Sequence, residues 1–160
     1  MLTFASEKEF QNWAKTKNNN LKTQATKKHV KKAVIKRPQC IITPGQAEFF
    51  FYNIHPSTNQ YMRWHWTKRA DEVTQWHWLT KQALGGRRIF IPEPIIETTY
   101  FFPDHQERDR GNYIPKFIID ALVKERIIED DSSRKLNETM PVFIYGSDKP
   151  GMLVMVKGAA

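Results

Sequence analysis

Acidic residues stand at both flanks of one amphipathic segment of this chain. Asp109 precedes the segment, and the neighbouring residues Asp130 and Asp131 follow it. Two carboxylates about 4 Å apart repel by roughly 4 kcal/mol at an effective dielectric near 20, so a site that gathers them needs a cation or a proton. Mg²⁺ is a hard ion that prefers oxygen ligands. The pattern therefore predicts a divalent-metal site, provided that the fold brings the two flanks to a common point.

The second acidic group has an alternative interpretation. A carboxylate at the carboxyl end of a helix is disfavoured by roughly 0.3 to 1 kcal/mol, because the helix macrodipole is negative there. A functional demand would explain why Asp130 and Asp131 occupy such a place. The alternative is a solvated turn formed by these residues together with Ser132 and Ser133. Composition alone leaves both interpretations open.

Apolar periodicity and turn residues predict the elements that would position these carboxylates. The expected order is a strand at 47–54, a helix at 67–84, a strand at 94–102, a helix at 115–126 and two closing strands near 140–145 and 152–157 that form a hairpin. Gly85 and Gly86 would end the first helix, and Pro115 suits a first helical turn. This β-α-β-α-β-β order predicts an α/β (α+β) fold, with helices packed on a mixed sheet.

Positive charge is concentrated at the start of the chain. Residues 1–45 carry ten Lys or Arg against two Glu, whereas residues 46–160 carry fifteen of each sign. A basic arm beside a neutral body is the layout of a polyanion-binding protein, because each neutralised phosphate releases counterions. The alternative is a solvated arm that maintains solubility. We therefore predict a basic arm at 1–45 and a folded domain at 46–160.

Several details of the arm follow from its sequence. Ser6 and Glu9 form a capping-box pattern, which predicts a short helix that ends near Asn18. The polar and basic stretch after it reads as a linker, closed by the turn at 44–45. The lysines that would contact DNA phosphates are Lys27, Lys28, Lys31 and Lys32.

Composition limits the cellular context. No apolar run approaches the roughly 20 residues that a membrane-spanning helix needs, so we expect no membrane partner. The start of the chain lacks the order of basic and apolar residues found in a secretory signal. Cys40 is the sole cysteine and cannot form an internal disulfide. These features predict a cytoplasmic protein.

One long segment resembles a known family. Residues 103–131, PDHQERDRGNYIPKFIIDALVKERIIEDD, are similar to the core of the RusA family of Holliday junction resolvases. In that family an Arg-Asp-x-Asp-Asn stretch precedes a helix with Lys and Asp-Ala-Leu, and an Asp-Asp pair follows. The residues that match in order are Arg108, Asp109, Asn112, Lys116, Asp120, Ala121, Leu122, Asp130 and Asp131, with one extra residue between Asn112 and Lys116. The segment 56–63 also resembles the family's Pro-Ser-x-Asn stretch, and the likeness spans roughly residues 47–157.

The resemblance implies a homodimeric, Mg²⁺-dependent endodeoxyribonuclease that resolves four-way DNA junctions in recombination and repair, with Mn²⁺ expected as a substitute metal. Asp109 and Asp131 would be catalytic metal ligands, with Asp130 as a further candidate ligand. Lys116 would face the scissile phosphate, although the alternative for Lys116 is an ordinary exposed helix lysine. Asn112 would orient the loop or contact the DNA backbone, and Arg108 would contact DNA.

One position departs from the family pattern. Gly111 stands where the family has its second Asp, so an expected ligand is missing. If residues 107–111 are extended, Glu107 and Asp109 share a face, and Glu107 could replace the lost carboxylate. Otherwise the site binds Mg²⁺ weakly, and the protein holds junctions without cutting them.

Aromatic and basic residues form a second conspicuous group. Trp76 and Trp78 lie about 200° apart around a helix, so one should face the core and the other the surface or a partner. Exposed indoles could stack on unpaired bases, with core packing as the alternative. The basic residues of this region that would contact phosphates are Arg63, Lys68, Arg69, Arg87 and Arg88.

The sequence leaves three functions open. The first is a metal-dependent junction resolvase, and the second is a junction-binding protein of the same fold whose catalysis is weakened by Gly111. The third is an interaction module whose basic arm recruits an acidic protein partner.

Overall fold

A computed structural model describes residue 12, residues 36–132 and residues 135–159. The chain divides into two compact units, residues 1–35 and residues 36–160. The predicted first helix and Lys27, Lys28, Lys31 and Lys32 lie outside the described residues, apart from Asn12, which is helical. In the part of the chain that is described, no helix combines the length and the apolar character needed to span a membrane.

The second unit is built on one mixed sheet of six strands. These strands are β1 (Gln39–Thr43), β2 (Gln46–Phe51), β3 (Pro94–Phe101), β4 (Asn137–Glu138), β5 (Val142–Ile144) and β6 (Gly151–Gly158). The order across the sheet is β1-β2-β6-β3-β4, and β5 continues the same edge as β4 along β3. The β1-β2, β2-β6 and β6-β3 pairs are antiparallel, whereas β4 and β5 run parallel to β3.

Strand alternation places one face of the sheet in the core. Every second residue of β2 is buried, and the residues opposite them on β6 and β3 are buried with them. Three cross-strand rows result: Ala47, Val156 and Ile96; Phe49, Val154 and Thr98; Phe51, Met152 and Tyr100. Because side chains two residues apart share a face, these rows form a continuous apolar surface for the helices.

Three α-helices complete the unit: α1 (Thr58–Met62), α2 (Trp66–Leu84) and α3 (Lys116–Lys124). Ser57 caps α1 by accepting a hydrogen bond from the amide of Gln60, and Gly85 ends α2 in the left-handed conformation that glycine tolerates best. Trp76 of α2 packs edge-on against Phe51 with its ring centroid 5.4 Å away, so α2 lies on the core face of the sheet.

The opposite face of the sheet has no helix over it within the described residues. Ile41 is 62% exposed and Val142 is 52% exposed on this face. Phe50, Leu153 and Met155, on the same face, are only partly buried. The face that the described residues leave open therefore combines apolar side chains with polar ones, including the ion pair of Lys157 and Glu97.

The structure confirms an α+β fold with helices packed on a mixed sheet, but it corrects three expectations. A strand precedes the expected start of the folded domain, because β1 begins at Gln39 and pairs with β2 across the turn at Pro44 and Gly45. The closing strands do not form a hairpin, because β3 lies between β5 and β6. With β1, α1 and β4 added, the element order is not the simple β-α-β-α-β-β order.

Candidate active site

Asp109 lies in the loop that joins the end of β3 to the start of α3. Arg108 fixes this loop, because its guanidinium donates to both carboxylate oxygens of Asp104 at 2.8 and 2.9 Å and to the carbonyl of Gln106 at 2.7 Å. The Arg108 guanidinium also lies 4.0 Å from the centre of the Phe102 ring. Its hydrogen bonds lower the pKa of the Asp104 carboxyl to about 2. Arg108 therefore holds the loop, and its guanidinium is already engaged within the protein.

The Asp109 carboxylate is exposed but held in one orientation. Its Oδ1 accepts a hydrogen bond from the amide of Gly111 at 2.9 Å, and its Oδ2 accepts one from the side-chain amide of Asn112 at 3.1 Å. Asp109 thereby caps a single 3₁₀ turn at Arg110–Asn112. Each carboxylate oxygen keeps a further lone pair. The turn consequently presents a fixed carboxylate that can accept a further hydrogen bond or coordinate a cation.

A buried aromatic cluster anchors the end of this loop to the core. Nδ1 of His55 donates to the carbonyl of Pro56 at 2.8 Å, so Nε2 of the neutral ring accepts from the Tyr100 hydroxyl at 2.6 Å. Burial lowers the pKa of His55 to about 4, which keeps the ring neutral near pH 7. The Tyr100 hydroxyl also lies 3.1 Å from the carbonyl of Tyr113. The cluster thereby holds Tyr113, the residue that ends the turn capped by Asp109.

Two cations lie close to the Asp109 turn in the sequence, Arg110 within it and Lys116 four residues after it. Lys116 is the first residue of α3 and is exposed, and its Nζ is 3.6 Å from Oδ1 of Asp120 in a loose ion pair. Arg110 is the next residue after Asp109, and its guanidinium lies 6.0 Å from the centre of the Phe143 ring. An exposed pair of this kind contributes little to stability, so Lys116 is free to contact a phosphate. Sequence reasoning missed Arg110, although its position beside Asp109 was a usable signal.

Asp130 and Asp131 follow α3 at the other end of the sheet. The carbonyl of Ile127 accepts from the amide of Ile91 at 2.8 Å, three residues before β3 begins. Further along the chain, Asn137 pairs with Ile95 near the start of β3. Oδ1 of Asp130 accepts from the amide of Asp131 at 2.8 Å, and this bond lowers the pKa of Asp130. The acidic pair is therefore anchored at the beginning of β3, whereas Asp109 follows its end.

The two acidic flanks are anchored near opposite ends of β3. β3 has eight residues, and at about 3.3 Å per residue its ends are about 23 Å apart. Mg²⁺ requires its ligand oxygens at about 2.1 Å. Among the described residues, no three His, Cys, Asp or Glu side chains form a group that could hold a metal ion. Within the described part of one chain, Asp109 and the Asp130–Asp131 pair are therefore associated with opposite ends of β3.

Glu107 is not positioned as its proposed role required. That role needed an extended backbone through residues 107–111, but β3 has ended at Phe101 and a 3₁₀ turn occupies Arg110–Asn112. Glu107 is exposed on the loop. Its partnership with Asp109 through strand alternation is therefore not supported.

The predicted DNA-contacting residues of the α2 region separate into two groups. Arg63, Lys68 and Arg69 lie near the start of α2, where Nζ of Lys68 is 3.6 Å from the centre of the Trp64 ring and Nε of Arg69 donates to the Trp64 carbonyl at 2.9 Å. Tyr61 contacts Phe117 with ring centroids 4.9 Å apart. This first group therefore lies beside the start of α3, on the same side as Lys116 and Asp109.

Arg87 and Arg88 lie beyond the other end of α2, a helix of 19 residues that is about 28 Å long. Arg87 is largely committed to structure, because its guanidinium donates to the carbonyls of Leu84, Ala83 and Cys40 at 2.8 to 3.0 Å. The five basic residues therefore do not form one continuous surface.

Trp76 and Trp78, two of the three tryptophans of α2, differ in burial, as their spacing predicts. Trp76 is buried and donates from its indole nitrogen to Glu72 at 2.9 Å, whereas Trp78 is only partly buried. Trp66, at the start of α2, is 69% exposed. Trp66 is thus the most exposed of the tryptophans that the structure describes.

Comparison with known proteins adds no family assignment. No protein-family model matches the chain, and no curated protein matches it significantly. The resemblance to the RusA family therefore rests on the quoted residues.

Proposed function

We propose that this protein is a homodimeric, Mg²⁺-dependent endonuclease that acts on branched DNA. The observation that carries the proposal is the exposed Asp109 carboxylate, which Gly111 and Asn112 hold in one orientation. The same stretch of chain carries Arg110 within the turn and Lys116 at the start of α3. A fixed anion with cations close to it in the sequence suits a site that must bind a metal ion and a phosphodiester together.

The proposed site needs residues from two subunits. Asp109 lies beyond the end of β3, whereas Asp131 follows Ile127, which is anchored before the start of β3. In this proposal a single ion is therefore shared by two subunits. A two-fold dimer can bring Asp109 of one subunit near Asp131 of the other, and it does so twice. Carboxylate oxygens from Asp109, Asp130 and Asp131 are ligands of the kind that Mg²⁺ prefers. Two equivalent sites would also match a two-fold four-way junction.

A second copy of the chain has an available surface. The sheet face opposite the helices carries exposed Ile41 and Val142, and exposed Ile144 lies on the same edge strand. Covering such a face removes apolar area from water at roughly 25 cal/mol per Å². We assign this face to the dimer, since the metal site is incomplete without a partner subunit.

The chain's own residues have separate tasks in the proposed reaction. Lys116 and Arg110 would contact the scissile phosphate and offset the charge that develops on it. Asn112 keeps Asp109 oriented through the hydrogen bond from its side-chain amide. Bound Mg²⁺ would supply an acidified water and further charge neutralisation for phosphodiester hydrolysis. Arg63, Lys68 and Trp66 would hold an adjoining DNA arm.

Junction binding without cleavage is the second candidate function. Gly111 removes one expected carboxylate from the turn, and the described residues of one chain contain no group of three candidate metal ligands. A site with fewer charged ligands binds a divalent cation more weakly. In this case the protein would hold junctions through its basic residues alone.

A synthetic four-way junction separates these functions. We expect tight binding that weakens as salt rises, and cleavage that occurs with Mg²⁺ and stops when EDTA is added. A linear duplex of the same sequence is the control for branch selectivity. Salt-dependent binding with no cleavage at any Mg²⁺ concentration would favour the second candidate, and no binding of either DNA would contradict both.

Deletion of residues 1–35 tests the basic arm. This truncation removes eight lysines and two glutamates but keeps β1, whereas a deletion through residue 45 would remove a strand of the sheet. We expect weaker junction binding and a flatter dependence of log K on log salt, with an unchanged melting temperature for the folded unit.

A full-length variant with Lys27, Lys28, Lys31 and Lys32 changed to Gln is the matched control for chain length. In this variant, the dependence of log K on log salt should be less steep by about 0.9 for each duplex phosphate that these lysines neutralise in the wild-type complex. An unchanged slope in both variants would assign the arm a role other than DNA binding.

A further inference from the structure

A cleft lies between the carboxyl ends of α2 and α3, away from the Asp109 turn. Its volume is about 680 Å³. The side chains that define its chemistry are Lys81, Arg88, Phe90, Lys124, Glu125 and Arg126. Arg87 also lines the cleft, so the lining combines five cations and one exposed aromatic ring with a single carboxylate, Glu125.

Helix capping explains only part of this positive charge. Lys81 and Lys124 lie in the last turns of their helices, where a cation is favoured by the macrodipole. Lys124 also donates to Nδ1 of His77 at 3.1 Å. Arg88 and Arg126 form no ion pair or hydrogen bond with any described side chain. Their charges remain available to an anion that enters the cleft.

Arg126 occupies a backbone conformation that favours glycine. Its φ is +58°, just after α3 ends, at the position where helices commonly have a glycine. A non-glycine residue in the left-handed region costs on the order of 1 kcal/mol. The arginine side chain reaches the cleft from this strained position. Glycine would relieve this strain, and it would also remove the charge that Arg126 brings to the cleft.

Phe90 gives the cleft an apolar platform. Its side chain is 57% exposed although it lies among the cations. The next residue, Ile91, is fully buried and its amide is bonded to Ile127, so the backbone that carries Phe90 is fixed. An exposed ring on a fixed backbone beside several cations suits a nucleobase with its phosphate.

We propose that this cleft binds an unpaired segment of a nucleic-acid strand. A base stacks on Phe90, and the neighbouring phosphates contact Arg88 and Arg126. This inference rests on the proposed function, because it takes DNA as the ligand. It adds a contact site for unpaired nucleotides at the end of α2, far from Arg63 and Trp66.

The test uses the full-length protein and a fluorescein-labelled oligo(dT) of about eight nucleotides, a length within the site sizes of single-strand binders. We expect Arg126→Gly to weaken binding about fivefold and to lower the salt slope by about 0.7, the value for one phosphate contact on a single strand. The same variant should melt at an equal or higher temperature, because glycine relieves the strained backbone. Phe90→Ala should weaken binding about tenfold, because the base no longer has a ring to stack on.

Glu93→Gly is the matched control, since Glu93 also has a positive φ, +47°, but does not line the cleft. It should relieve strain without changing oligonucleotide affinity. Unchanged affinity in both Arg126→Gly and Phe90→Ala, in a protein that still binds the four-way junction, would overturn the cleft assignment alone. Failure of the wild-type protein to bind either DNA would overturn the proposed function as well.

Discussion

Replacing Asp109 with Asn should lower the rate of junction cleavage by about a thousandfold, while junction affinity stays unchanged or becomes tighter. The substitution removes the ligand charge but keeps the side-chain shape and the oxygen that accepts from the Gly111 amide. Asn is also as good a capping residue as Asp, so the 3₁₀ turn should persist. Single-turnover cleavage and gel-shift binding on the same junction measure both quantities.

Asp148→Asn is the control for loss of a surface carboxylate. Asp148 is exposed in the turn before β6 and belongs to neither acidic flank. The Asp148→Asn protein should cleave the junction at the wild-type rate. Equal cleavage by Asp109→Asn and wild type would remove Asp109 from the reaction and leave the turn a purely structural role.

Replacing Gly111 with Asp should tighten Mg²⁺ binding about tenfold, because metal affinity rises with the number of charged ligands. The backbone at Gly111 is not in the left-handed region, so a side chain is tolerated. An added Cβ would lie 3.4 Å from Oδ1 of Asp109, which is ordinary van der Waals contact. The new carboxylate would therefore stand beside Asp109 on the same turn. Calorimetric titration with Mg²⁺ measures the change.

Gly111→Asn separates charge from shape in this experiment. It places a side chain of the same size at the turn without the second negative charge, so it should leave Mg²⁺ affinity near the wild-type value. In the absence of metal, the Asp variant should be less stable than the Asn variant by about 1 kcal/mol, the repulsion of two solvated charges about 4 Å apart. Weaker Mg²⁺ binding by a folded Gly111→Asp protein would indicate a turn arranged differently from the one described.

Local sequence signals predicted the long elements of the fold well. Helix α2 begins one residue from its expected start and ends at Leu84, where Gly85 and Gly86 were expected to end it. Strand β3 also matches its expected span to within one residue. In each case the ends are marked by residues that act within one turn of chain, which is information that a single sequence carries.

Strand pairing was harder to predict because it depends on distant residues. β1 was missed since it lies just after a basic, polar stretch and before Pro44, a context typical of linkers. The expected hairpin of β5 and β6 is wrong because β6 pairs with β2 and β3 along its whole length. Apolar alternation shows that a strand is buried on one face, but it does not specify its neighbours.

The sequence predicted where the acidic residues lie relative to the helix, but it did not predict how the fold arranges them in space. The sequence placed Asp109 before a helix and Asp131 after it, and the structure agrees. However, the nine residues of α3 separate its ends by about 13 Å, and the anchoring of Ile127 beside Ile91 holds the second flank at the start of β3. Convergence within one chain could not follow from spacing alone, because it depends on which end of the sheet receives each loop.

A subunit-mixing experiment tests the shared site most directly. The Asp109→Asn and Asp131→Asn proteins are each prepared alone. The two variants are also co-expressed, and the mixed dimers are isolated with two affinity tags. Each preparation is given the same four-way junction with Mg²⁺. If each site combines Asp109 of one subunit with Asp131 of its partner, the mixed dimer contains one intact site. The proposal therefore predicts that the mixed dimer nicks the junction, whereas neither parent does. A mixed dimer as inactive as both parents, when dimers of wild type with either variant still cut, would contradict a metal site shared between subunits.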